Sequence, residues 1–258
     1  MSPREKRSAR DVALDALMQV DKANAWSDEA LRRLIAQNGL DSRDAAFATR
    51  LCYGVMQNRM LLDFYLAQAV ASPLTKLQPV VLDILRLGAY QILFLDKIPV
   101  SAAVNEAVEQ TKTYANKRAA GLVNGSLRTL ARRRDELVQP HDLATKYSHP
   151  QPLVDCLRAS MDDETLEAFL AADNDIPKTA LQVNPLKAAP EQVAAALDEA
   201  GVAYEPHPWL HGCFLVSGTG NLEALPLFQS GAVCVQDAAA KLAVLASGAA
   251  PGMRVLDC

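Results

Sequence analysis

The segment Gln78 to Leu95, QPVVLDILRLGAYQILFL, is apolar on nearly every side, and no other stretch restricts the fold as tightly. A helix with one apolar stripe can lie on a surface, whereas a helix that is apolar all round must be enclosed by other elements. It predicts the buried central helix of a bundle, in which Gly88 lets a neighbouring helix approach closely. Asp83 and Arg86 interrupt the run, and no run approaches the ~20 apolar residues of a membrane span, so no membrane partner is expected.

The flanking sequence supplies the enclosing helices. Ala9, Val12, Ala13, Ala16, Leu17 and Val20 recur at helical spacing. Ser27 is placed to cap a second helix carrying Leu31, Leu34 and Ile35, which Asn38-Gly39 ends. Asp41 is placed to cap a third through Phe47, Leu51 and Val55, and a fourth over Leu61 to Val70 breaks at Ser72-Pro73. After Pro99, the span Ser101 to Tyr114 puts Val104, Ala107, Val108 and Thr111 on one face. Lys117 to Arg134 turns Leu122, Val123, Leu127 and Leu130 inward. The first ~135 residues therefore read as an all-helical bundle of about six or seven helices.

The net charge of -4 conceals two halves of opposite sign. Met1 to Pro140 holds 20 Lys+Arg against 15 Asp+Glu, and His141 to Cys258 holds 6 against 15. A polyanion would meet the front half first. Its cations cluster at both ends: Arg4, Lys6, Arg7 and Arg10 in a basic arm, and Lys117, Arg118, Arg128, Arg132, Arg133 and Arg134 on the outer side of the last helix. Such faces are solvated surface or a phosphate-binding site. Cys52, Cys156, Cys213, Cys234 and Cys258 lack the spacing of a zinc or disulfide framework and read as reduced, mostly buried thiols of a cytoplasmic protein, with no metal expected. The charged start has no apolar core of a secretory signal.

Around Gln139-Pro140-His141-Asp142 the helical pattern lapses. His149, beside Pro150, has no nucleophile at readable spacing and is a structural turn histidine. Two short helices, Leu153 to Ser160 and Asp162 to Ala172, lead to a change of period beyond Pro177. Thr179 to Asn184 alternates like a strand, Pro190 to Gly201 brackets a helix, Val202 to Glu205 and Cys213 to Ser217 are strands, and a short helix near Leu222 to Phe228 precedes the strand Ala232 to Val235. This β-α-β-β-α-β order is the ferredoxin-like arrangement. Its segment is acidic and lacks aromatic pairs for stacking bases, which favours a spacer or docking domain over an RNA reader.

Gly231 to Cys258 runs strand, turn, helix, Pro-Gly turn, strand, with Asp237 as a helix cap. Met253 to Asp257 has the pattern of the first strand of a doubly wound sheet, where a cofactor loop follows, or else of an ordinary edge strand. The first reading makes the chain the front portion of a larger protein.

Ile84-Leu85-Arg86-Leu87-Gly88-Ala89-Tyr90-Gln91, Ile98-Pro99, Val104-Asn105-Glu106-Ala107-Val108 and Gly121-Leu122-Val123-Asn124-Gly125-Ser126-Leu127-Arg128 resemble the signature of the NusB-type RNA-binding fold, as Arg50-Leu51-Cys52-Tyr53-Gly54-Val55 resembles its third helix. Asn105 and Asn124, polar amid apolar neighbours, read as internal hydrogen-bonders that fix helix packing. NusB-type members include a free-standing transcription antitermination factor and a domain of ribosomal RNA methyltransferases. The rest resembles the bacterial RsmB (Sun, Fmu) methyltransferases through Tyr147-Ser148-His149-Pro150, Asn174 with Pro177, Val183-Asn184, Gly231 with Val235-Gln236-Asp237, and Pro251-Gly252 leading into Val255-Leu256-Asp257. It departs from that family at Pro152-Leu153, near a usual Trp, and at Gln182, in place of a usual Arg.

The resemblance implies methylation at C5 of a cytosine in small-subunit ribosomal RNA, with S-adenosylmethionine as methyl donor. A cysteine thiolate adds to C6, and a second cysteine assists release. Both catalytic cysteines are expected beyond residue 258, leaving Asp257 and Cys258 at the edge of the cofactor loop, with this chain inactive alone. The expected fold class is α+β: a NusB-like bundle (1–138), a helical connector (139–176), an RRM-like domain (177–236) and the opening of a Rossmann-like methyltransferase domain (237–258), in a monomer that binds small-subunit ribosomal RNA. The alternative is a non-enzymatic NusB-like RNA-binding or antitermination protein.

Overall fold

The computed structural model describes residues 7–23, 27–175, 177–217 and 222–256. The chain divides into two compact units, Met1–Asp175 and Ile176–Cys258.

The first unit is helical. α1 (Ala9–Ala23) opens on a reciprocal cap, with Ser8 N donating to Asp11 Oδ2 at 3.1 Å and Asp11 N donating to Ser8 Oγ at 3.2 Å. α2 (Ser27–Asn38) is followed by Gly39 at φ +58, the left-handed turn that glycine adopts without strain. α3 (Ser42–Gln57) is capped as expected by Asp41, which accepts from Asp44 N at 2.8 Å. After α4 (Arg59–Ala67) and a 3-10 turn, α5 (Pro79–Phe94) starts on a proline whose missing N–H costs nothing there. α6 (Val100–Tyr114) and α7 (Lys117–Arg132) form an antiparallel pair, and Asn116 caps α7 by accepting from Ala119 N at 2.9 Å.

α5 is the enclosed helix that its composition requires: every residue from Asp83 to Ile92 is buried. Two glycines set its neighbours' distance. A Cβ on Gly88 would lie 2.5 Å from Leu127 Cδ1 of α7, and one on Gly54 of α3 would lie 2.0 Å from Tyr90 Cζ. The charged residues of α5 are satisfied internally. Arg86 donates from Nε and Nη2 to the two carboxylate oxygens of Asp63, each at 2.7 Å, and from Nη1 to Asp83 Oδ1 at 2.9 Å.

Residues 139–175 pack on this bundle. α8 (Leu143–Tyr147), α9 (Gln151–Arg158) and α10 (Asp163–Asp173) enclose Ala144, Val154, Leu166 and Leu170 against Met60. Ser148, at φ 57, turns the chain and accepts from Leu61 N at 3.0 Å. His149 is buried with Nε2 2.9 Å from Asp173 Oδ2, the structural part read from the sequence.

The second unit is a four-stranded antiparallel sheet of order β2-β3-β1-β4, built from β1 (Thr179–Val183), β2 (Ala203–Pro206), β3 (Cys213–Ser217) and β4 (Val233–Val235). α11 (Pro190–Glu199) and α12 (Pro226–Gln229) complete the expected ferredoxin-like order. Leu181 pairs with Phe214 and Val183 with Val233, and these residues join Val193 and Leu197 in the core. α13 (Ala238–Ala246) is capped by Asp237, which accepts from Ala239 N at 2.7 Å.

Three expectations are corrected. Asn105 is exposed and Asn124 is only half-buried, its Oδ1 accepting from Arg128 Nε at 2.8 Å, so neither is an internal packing group. Cys156 and Cys234 are exposed rather than core thiols. Met253 to Leu256 form no strand: they are exposed and unpaired, and an extended segment becomes a strand only when a neighbour takes its backbone hydrogen bonds.

Candidate nucleic-acid interface

The sequence-predicted basic residues fall into distinct environments. Arg4 and Lys6 lie outside the described residues. Arg7 is ion-paired with Asp15. Arg10 turns inward: its Nε donates to the buried Gln91 Oε1 at 2.7 Å, and its guanidinium lies 5.0 Å from the Phe47 ring centroid. Burial draws its pKa below the usual value, against the opposing pull of Glu106, Asp11 and Asp44. Arg133 and Arg134 act partly as ties, donating to the carbonyls of Gln68 and Leu93, each at 3.1 Å.

Lys117, Arg118, Arg128 and Arg132 are exposed and form no ion pair among the described residues. Lys117, Arg128 and Arg132 share the outer face of α7 with Gly121, Asn124 and Gly125, the phase that 3.6 residues per turn imposes. Two features of α7 cost stability. Lys117 and Arg118 occupy the first turn, where the helix dipole disfavours cations by about 0.3–1 kcal/mol each. Gly121 and Gly125 sit in an exposed helix interior, where each costs about 1 kcal/mol relative to alanine. No packing demand explains the glycines, since a Cβ on either would meet nothing within 4 Å. Together they leave bare backbone between cations, a surface onto which a phosphate chain can settle closely. In the sequence, only their helical spacing from Lys117, Arg128 and Arg132 places Gly121, Asn124 and Gly125 on this face.

These features separate two effects of one substitution. Gly125→Ala should raise stability by about 0.5–1 kcal/mol while weakening RNA binding. Denaturant melts and RNA titrations of the same preparation check it; higher stability with unaltered affinity would show that RNA does not approach Gly125.

Among the described residues, the second unit presents no comparable face. Its sheet aromatics, Tyr204 and Phe214, meet edge to face at 5.4 Å among the residues packed against the helices. On the opposite face, Ala180 and Cys213 are covered by Leu210 and flanked by Ala238. Gln182 is buried there, its Nε2 3.1 Å from Cys213 Sγ and 3.3 Å from the Gln236 carbonyl, and so is not a surface contact for RNA.

The thiols separate likewise: burial pushes Cys52 up to about 12 and raises Cys213, holding both as neutral thiols. Asp257 and Cys258 lie outside the described residues. Among the described residues there is no metal-ligating cluster of acidic, histidine and cysteine side chains, and no helix long and apolar enough to cross a membrane.

Residues 7–132 match the NusB family, and residues 149–223 match the RsmF/B-like methyltransferase ferredoxin-like domain. The probable ribosomal RNA small subunit methyltransferase B of Bacillus subtilis (strain 168) is 33% identical over 259 residues, covering 98% of this chain and 57% of the relative. The ribosomal RNA small subunit methyltransferase B of Escherichia coli O1:K1 / APEC is 30% identical over 255 residues, covering 98% and 58%. The chain thus spans a little over half the length of these curated relatives. The crystal structure of PH0851 shares the fold, with a TM-score of 0.66 and 20% identity over 94% of this chain and 56% of that one.

Proposed function

We propose that this chain, whose residues 7–132 match the NusB family and whose residues 149–223 match the ferredoxin-like domain of RsmF/B-like methyltransferases, is the RNA-holding part of an enzyme that methylates C5 of a cytosine in small-subunit ribosomal RNA. The observation that carries the RNA-holding role is the outer face of α7, where cations that form no ion pair among the described residues flank exposed Gly121 and Gly125. Phosphate contacts there would fix the register of the RNA, while the acidic second unit serves as spacer or docking module.

S-adenosylmethionine would supply the methyl group. The described residues do not form a cradle for it: Met253 to Leu256 are exposed and pair with no strand. Nor does either buried thiol suit nucleophilic attack on C6, because burial favours its neutral form. This chain's part in the reaction is to bind and orient the RNA. The ferredoxin-like match favours this reading over a free-standing antitermination factor.

Two measurements test the proposal. The purified chain should prefer small-subunit ribosomal RNA to an unrelated RNA of equal length at about 0.15 M salt, where screening weakens unspecific attraction. Deleting the gene should remove one C5-methylcytosine from that RNA in bisulfite sequencing. Absence of binding would overturn the RNA-holding role, and retention of every modified cytosine would overturn the assigned reaction.

A further inference from the structure

Contacts from two basic clusters far apart in sequence converge near the C-terminal end of α5. Arg10 reaches Gln91 at 2.7 Å, and Arg134 donates to the Leu93 carbonyl at 3.1 Å. Beside these contacts a hollow of about 310 Å³ is lined by Phe47, Arg50, Phe94, Asp96, Lys97 and Ile98.

Its two rings are braced by neighbours. The Arg10 guanidinium lies 5.0 Å from the Phe47 centroid, and Tyr90 stacks on Phe94 at 5.3 Å with 18° between the planes. Rings held in this way lose little freedom on binding a flat group. Arg50 and Lys97 are exposed and form no ion pair among the described residues. The volume is at the lower end of the roughly 300–1,000 Å³ typical of ligand sites, which suits one small planar group. Aromatic surface beside unpaired cations suits stacking of a base with attraction of its phosphates. Asp96 supplies an acceptor for an exocyclic amine.

We propose that the hollow between Phe47 and Phe94 receives one unpaired, amino-bearing nucleobase of an RNA strand, with Arg50 and Lys97 on the adjoining phosphates. This rests on the RNA-holding reading and adds to it a subsite for a base turned out of a helix, distinct from the phosphate-binding face of α7. An aromatic side chain of a protein partner would fill the same volume, but Arg50 and Lys97 favour the nucleotide.

The test uses the whole chain with single-stranded RNAs carrying one 2-aminopurine at successive positions, and with a duplex of the same sequence. One position should be quenched on binding. Phe47→Leu, which keeps an apolar side chain, should abolish that quench and weaken single-strand binding about tenfold or more while sparing the duplex. Lys97→Glu changes an exposed side chain and should weaken single-strand binding even if Phe47→Leu does not fold. Parental affinity in a folded Phe47→Leu and in Lys97→Glu, or quenching at no position, would overturn the subsite while leaving the RNA-holding role intact. Occupation by an aromatic peptide without displacement of bound RNA would also overturn it, in favour of protein docking. A parent chain that binds no RNA would overturn both readings.

Discussion

Arg86→Met should destabilise the first unit by about 3–5 kcal/mol, because it leaves the Asp83 carboxylate buried without its cationic partner. The Asp83 side chain is only 3% exposed, whereas Asp63, at 32%, can turn to water. The loss therefore lies mainly in one stranded charge. Adding Asp83→Leu removes that charge and should restore most of the stability, since an apolar replacement for a buried pair is often neutral. Denaturant midpoints of the parent, single and double variants measure both effects. A double variant no more stable than Arg86→Met would refute this assignment.

The same pair has a pH signature. Burial raises the Asp83 pKa above the usual carboxylate value, against the pull of Arg86. A carboxyl with a raised folded-state pKa binds its proton more tightly in the folded chain, so its contribution to stability falls as pH rises through that window. Removing Arg86 removes the opposing pull. The deficit of Arg86→Met should consequently narrow as pH falls from neutrality toward the carboxylate range.

Reversing Lys117, Arg118, Arg128 and Arg132 to glutamate should lower RNA affinity about 100-fold or more near 0.1 M salt. It should also make the slope of log affinity against log salt shallower by about 3, at roughly 0.7–0.9 per neutralised phosphate. These side chains form no ion pair among the described residues, so the fold should survive. Arg133 and Arg134 are less suitable targets because they hold the Gln68 and Leu93 carbonyls. Salt-dependent RNA titration supplies the measurement. An unchanged slope would remove the outer face of α7 from the interface.

Much of the architecture was legible because it follows from periodicity. The all-round apolarity of α5 required enclosing helices, and alternation in Thr179–Val183 announced the change to a sheet. The tertiary partners of charged residues were not legible: nothing local shows that Asp63 meets Arg86, or that Arg134 reaches Leu93. The apolar sequence neighbours of Asn105 and Asn124 suggest burial, but sequence neighbours on a helix are not spatial ones. Asn124 is in helical phase with Lys117 and Arg128, which assigns it to the outside. The expected strand at Met253 failed for another reason, since pattern gives a strand its faces but only pairing gives it a place.

The fit of Leu127 against Gly88 fixes the height of α7 along α5, and Gln91 indexes Arg10 to the same helix. α5 therefore works as a ruler. The distance between the cations of α7 and Arg10 is graduated in helical rise, about 1.5 Å per residue. On the RNA-holding proposal, a strand that met both the α7 cations and the hollow beside Arg10 would have to match this spacing, so the shape of its phosphate backbone would count as well as its charge.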